Sequence, residues 1–105
     1  MAVIFYLSGS GNSLYAAQQI AEKLEECRLE TIGSYLRKPY TVEDEIVGIV
    51  SPVYCFALPP VVAQFLEKLQ AKPNYCFGVV TIGGNQGRAL KQMSEALNAK
   101  GVTLN

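Results

Sequence analysis

The stretch that most limits this fold is residues 3–13, VIFYLSGSGNS. Five apolar residues run straight into a loop of glycines and hydroxyls, and an amphipathic pattern then begins with Leu14, Ala17, Ala21 and Leu24. That is a buried strand, a tight loop and a helix start in one piece. Such a loop leaves several backbone N–H groups unpaired at the head of a helix, where the helix dipole favours an anion. Residues 8–13 therefore read as a phosphate site. The first charged residue of the chain is Glu22, so backbone amides, hydroxyls and the helix terminus must do the holding. Charge-assisted hydrogen bonds, at ~1.5–3 kcal/mol each, outweigh a dipole contribution of ~0.3–1 kcal/mol. The competing reading is a plain strand–helix turn, but three hydroxyls and an asparagine in six positions exceed what a turn requires. No lysine follows the glycines, which excludes a Walker A loop. No aspartate ends the first or third strand, which argues against a receiver domain.

The remaining chain reads as walls around that loop. The first helix is expected over about 12–27, with a short second strand over 29–32. A connection over 33–40 is closed by Pro39, and 41–45 is a polar turn. The β-branched run 46–50 predicts a strand buried on both faces, ending at Ser51 and Pro52. Pro59 and Pro60 open a helix whose inward stripe is Val62, Phe65, Leu66 and Leu69. A strand over 75–82, a loop over 83–87 and a helix over 88–100 follow, the last with Leu90, Met93 and Leu97 inward. Gly101 suits the position past its C-cap, and 102–104 looks like the opening of a fifth strand. Strands alternating with helices predict an α/β fold: a doubly wound parallel sheet in a three-layer α/β/α stack, as one domain over 1–105. Ligands of such sheets bind at the carboxyl ends of the strands, at the switch point in strand order. The three loops after such ends, 8–13, 52–59 and 83–87, are all unusual in composition.

Composition removes several chemistries. The chain has no histidine, which excludes Ser-His-Asp, Cys-His and histidine-ligated metal sites. Its three cysteines form no C-x-x-C pair, so a zinc ribbon and an iron–sulfur cluster are unsupported. Net charge is zero, so nothing points to nucleic acid or an anionic membrane surface. No apolar run approaches the ~18 residues of a membrane span, and a cytoplasmic protein with reduced thiols is expected. Cys55 has no basic residue between Lys38 and Lys68 to activate it. Tyr54 and Phe56, just past a strand, suit either stacking on a flat ligand or the core; Phe5 and Tyr6 are assigned to the core.

These residues carry a family resemblance. SGSGNS at 8–13 resembles the phosphate loop of flavodoxins, S/T-G-T/S-G-N-T/S, and VSPVYCFALPP at 50–60 resembles their second flavin loop. TIGGNQG at 81–87 sits where the third would be. The likeness is closest to the flavodoxin-like module of ferredoxin–flavodoxin fusion proteins, although their iron–sulfur cysteines are absent. It implies strand order 2-1-3-4 with a partial or missing fifth strand, a non-covalent FMN and electron transfer to a redox protein partner. By the same likeness Ser8, Ser10, Gly11, Asn12 and Ser13 would bind the FMN phosphate. Pro52, Tyr54, Cys55, Phe56 and Ala57 would border the flavin ring on one side, and Gly83, Gly84, Asn85 and Gln86 on the other. Three departures stand out. The chain stops short of the family's last helix, which would leave a sheet face for a homodimer or partner domain to cover. It lacks the acidic charge that steers flavodoxins to basic partners. Ala57 stands where the family often has the glycine whose peptide rearranges on flavin reduction. An NAD(P)H-dependent FMN or quinone reductase is the alternative of the same fold. A flavodoxin-like scaffold that no longer binds FMN is a third reading.

Overall fold

The structure, a computed structural model, describes residues 2–7, 11–24, 26–52, 58–81, 89–99, 101, 102 and 104, with backbone alone at 11, 12, 81, 89 and 90. In chain order the elements are β1 (Ala2–Tyr6), α1 (Gly11–Ala21), β2 (Cys27–Thr31), α2 (Ile32–Arg37), β3 (Thr41–Val42), β4 (Ile46–Pro52), α3 (Pro60–Lys68), β5 (Gln70–Ala71), β6 (Tyr75–Thr81) and α4 (Ala89–Asn98). Four strands form a parallel sheet in the order β2-β1-β4-β6. Counting only these four, the order is 2-1-3-4, as the flavodoxin likeness implies.

The apolar runs are explained by burial on both faces. Val3 and Phe5 of β1 and Val47 and Ile49 of β4 pack with α2, α3 and α4. Ile4 and Val50, at the alternate positions, pack with Ala17 of α1 on the other side. A strand covered on both sides must be apolar at successive positions. On the first side, Phe5, Tyr35 and Phe65 meet ring to ring at centroid distances of 5.0–5.5 Å. Each fully buried ring of this kind contributes ~1.5–3 kcal/mol by leaving water. The stripe Val62, Phe65, Leu66 and Leu69 is buried, as the helical spacing predicts.

Four features ahead of α4 differ from the sequence reading. The connection over 33–40 contains helix α2. Thr31 caps it, its hydroxyl accepting from the Ser34 amide at 3.1 Å, while Ile32 and Tyr35 turn into the core. The helix α1 stops at Ala21 instead of continuing to 27. Its end tightens into i→i+3 bonds at Lys23 and Leu24, and β2 must begin at Cys27 to pair with Ala2. The inward residues of α1 are Ser13 and Ala17, whereas Leu14 is 36% exposed, so the buried stripe lies one position earlier in the first turn. Finally, β3 and β5 pair in parallel as a two-stranded piece, each a few residues ahead of a main strand and hence at the amino end of the sheet.

Gly101 and Val102 close α4, where the sequence reading expects 102–104 to open a strand. The Val102 amide bonds to the Leu97 carbonyl at 2.9 Å and the Gly101 amide to Asn98 at 3.0 Å, with Gly101 at φ +79°. This is a Schellman stop, and Val102 and Leu97 are both buried in the same core. Neither Val102 nor Leu104 belongs to a strand among the described residues.

Candidate functional site

The register brings three strand ends together. Tyr6, the last residue of β1, stands beside Val50, which stands beside Val79; Pro52 at the end of β4 stands beside Thr81 at the end of β6. The segments 8–10, 53–57 and 82–88 continue from these adjoining carboxyl ends. The order reverses between β1 and β4, since β2 lies on one side of β1 and β4 on the other. Doubly wound sheets bind their ligands in the crevice at such a point.

Helix α1 begins at Gly11, five positions past the last paired residue of β1, and carries no acidic residue in its first turn. Its amino terminus therefore offers a positive dipole end with no carboxylate in its own first turn to cancel it. Ser13, in that first turn, is fully buried and engaged in a contact. Pro52 is also buried, and its carbonyl accepts the Ser51 hydroxyl at 2.8 Å. Gly11 and Asn12 are the first two residues of α1. Ser8, Ser10, Tyr54, Cys55, Phe56, Ala57, Gly83, Gly84, Asn85 and Gln86 lie outside the described residues.

One residue at this end of the molecule escaped the sequence reading. The Leu58 amide, directly after the second loop, donates to Gln92 Oε1 on α4 at 3.0 Å. Gln92 carries no sequence signal: it reads as one more polar position on an amphipathic helix.

The opposite, amino end of the sheet holds two cavities, of about 440 and 430 Å³, that share Thr41 and Glu43. The first lies along the β3–β5 pair, beside Leu69 and Lys72. The second is lined by Arg28, Tyr40 and Asp44, and a charge cluster forms its wall. Arg28 Nη2 donates to Asp44 Oδ1 at 2.8 Å and to the Tyr40 hydroxyl at 3.1 Å, while the Tyr40 hydroxyl donates to Glu30. Arg28 Nε comes within 3.0 Å of Glu30 Oε2, an ion pair without hydrogen-bond alignment. Burial, then the bond to Glu30, pushes the Tyr40 phenol up to about 12. These cavities are lined by residues ahead of β4 and β6, at the opposite end of the sheet from the adjoining carboxyl ends, so they are not the switch-point crevice.

Thiol and metal chemistry find no support in the described residues. Burial pushes the Cys76 thiol up to about 11 and, with the charge of Asp44, raises that of Cys27, so both stay protonated near neutral pH. Among the described residues no three His, Cys, Asp or Glu side chains are grouped to hold a metal. No helix of the described residues is long and apolar enough to cross a membrane.

The match to known families decides what this arrangement belongs to. A family model described as Flavodoxin domain matches residues 3–104. The chain belongs to the flavodoxin domain family. No curated protein sequence matches it.

Flavodoxin domains typically bind FMN, and the described part of the site fits that group on its own chemistry. A phosphate monoester needs donors and no competing carboxylate, and the first turn of α1 offers that. A flavin ring needs a crevice between two loops, and β4 and β6 end side by side to carry them.

Proposed function

We propose that this flavodoxin domain binds FMN without a covalent link and acts in electron transfer with a redox protein partner. Residues 8–13 hold the phosphate, with Ser8, Ser10 and Ser13 giving hydroxyls and the start of α1 giving amides. Pro52 and residues 54–57 border the ring on one side, and residues 83–86 on the other. The supporting observation is the side-by-side ending of β1, β4 and β6 around the reversal in strand order, with the acid-free start of α1 directly after β1. The bound flavin would accept and return the electrons, and the protein would orient and shield it. Such a role asks for no acid, base or nucleophile from the chain, in keeping with the lack of histidine and the raised Cys76 thiol.

The test is an FMN titration of the purified protein followed by visible absorption and flavin fluorescence. Saturable binding at one site per chain is expected. Ser10→Glu, which sets a carboxylate against the phosphate, is expected to abolish it while far-ultraviolet circular dichroism is unchanged. Full flavin content in Ser10→Glu would reject the phosphate assignment. Oxidation of NADPH by the flavin-loaded protein alone would instead favour the reductase alternative.

A further inference from the structure

We propose that Gln92 is a positioning residue that holds Leu58, just ahead of α3, against α4, and so sets the spacing between the two elements that follow the proposed ring-bordering segments of the flavin site. This rests on the FMN reading above. The observation is the bond from the Leu58 amide to Gln92 Oε1 at 3.0 Å, between residues 34 apart in sequence. Leu58 is the first described residue after 53–57, and α4 is the element that follows 82–88. The bond thus joins the end of one ring-bordering loop to the helix launched by the other.

The surroundings make that joint a defined one. Leu58 is 5% exposed, so its amide has little access to water and needs a partner within the protein. On one side Pro59 follows directly, its carbonyl accepting from Val62 and Ala63 at the start of α3. On the other, α4 is seated on β6 through Met93, whose sulfur fills the space over Gly78, and Leu97 of the same helix is buried. Gln92 immediately precedes Met93, so the seating of α4 carries its amide oxygen to a set place. A change in the spacing between β6 with α4 and β4 with α3 would have to break or lengthen this one bond. Gln92 acts through Leu58 and need not touch the flavin itself.

The test compares the wild type with Gln92→Met, Gln92→Ala and Gln92→Glu. Methionine keeps the length and loses the acceptor, alanine is a second acceptor-free form, and glutamate keeps an oxygen at the same reach. FMN is titrated into each flavin-free protein, the visible band and reduction potential of the bound flavin are recorded, and exchange of the Leu58 amide is followed in flavin-free protein. Gln92→Met and Gln92→Ala are expected to weaken FMN binding by about fivefold, the equivalent of one hydrogen bond. They should also displace the visible band and speed Leu58 exchange, while Gln92→Glu restores affinity to within about twofold of the wild type. A lowered melting temperature with unchanged FMN affinity, band and potential would assign Gln92 to stability alone and overturn the proposal, leaving the FMN reading intact. A wild type that binds no FMN overturns both.

Discussion

Gly48 on β4 and Phe77 on β6 are register partners, and the phenyl ring of Phe77 fills the space where a Cβ on Gly48 would stand. That Cβ would lie 2.3 Å from the ring's Cζ and within 2.9 Å of two further ring atoms. The ring packs against the cluster of Ile4, Ala17 and Val50 on the α1 side of the sheet, and meets Tyr75 at 6.2 Å between centroids. Glycine in mid-strand forgoes packing and backbone restraint, and here the ring takes up the vacated surface. Gly48→Ala is expected to cost about 1–3 kcal/mol in urea denaturation, the range for overpacking. In a Phe77→Ala background the same substitution should be neutral or stabilising, because the obstacle has gone. A double-mutant cycle measures this; additive costs would reject the pairing.

Glycine at 101 has a different reason. A Cβ there would meet nothing within 4 Å, yet φ is +79°. Gly101→Ala is expected to cost ~1–2 kcal/mol through backbone strain alone, and no second substitution nearby should relieve it. Glu26, at φ 51° ahead of β2, occupies the same left-handed region without the same freedom. For Glu26→Gly, relief of strain offsets the extra entropy of the unfolded chain, so stability should stay within ~0.5 kcal/mol of the wild type or rise. Thermal melts of the two variants side by side should therefore differ in sign or clearly in size.

The contrast between those glycines marks what sequence could and could not carry. Gly101 follows a helical stripe, so its role as a helix stop was legible. Gly48 sits inside a β-branched run, and nothing local reveals that a residue 29 positions away needs its space. The same division runs through the fold. The parallel sheet and the buried strand β4 follow from apolar runs separated by helical stripes, whereas the strand order is what the flavodoxin resemblance implies. Helix α2 was missed because six residues are too short for a convincing period; only Thr31 as cap and the Ile32–Tyr35 spacing hint at it. The β3–β5 pair is two residues deep, and the partners lie far apart in sequence. The placing of loops after β1, β4 and β6 was readable from composition, whereas the Leu58–Gln92 bond depends on two elements meeting in space.

The Tyr40 phenol predicts an alkaline limb of stability. Burial, and then its hydrogen bond to Glu30, holds it neutral in the folded protein to about 12, while an unfolded tyrosine ionises near ~10. Below that lower value both states are protonated and stability is flat. Between the two values the unfolded chain releases a proton that the folded protein keeps, so stability falls as pH rises. Cys76, raised to about 11 by burial, adds a similar decline starting from a lower pH. Tyr40→Phe should begin less stable at pH 8 by ~1 kcal/mol, having lost the bonds to Glu30 and from Arg28. Its stability should then fall less steeply above pH 10. Urea midpoints for both proteins across pH 8 to 11.5 check this, and parallel curves would remove Tyr40 as a cause.

The uncharged approach to α1 makes the proposed flavin site unusual in its response to salt. No lysine or arginine precedes Glu22, and the whole chain has zero net charge. Long-range attraction of the phosphate is then weak, and what holds it is short-range: amides at the start of α1, which has no acidic residue in its first turn, and the loop hydroxyls. Screening acts on interactions beyond the Debye length, which falls from ~10 Å at 0.1 M salt to ~3 Å at 1 M, and leaves short hydrogen bonds largely intact. The FMN dissociation constant, measured by fluorescence quenching, should therefore change by less than about threefold between 0.05 and 0.5 M sodium chloride, since only the small terminal dipole contribution is screened. Riboflavin, which has no phosphate, should bind far more weakly at every salt concentration, because the phosphate's charge-assisted hydrogen bonds, at ~1.5–3 kcal/mol each, are missing. A steep loss of FMN affinity with salt would mean that a cation elsewhere in the chain clamps the phosphate; Arg88, the one basic residue of the sequence segments 8–10, 53–57 and 82–88, is the first to replace by methionine.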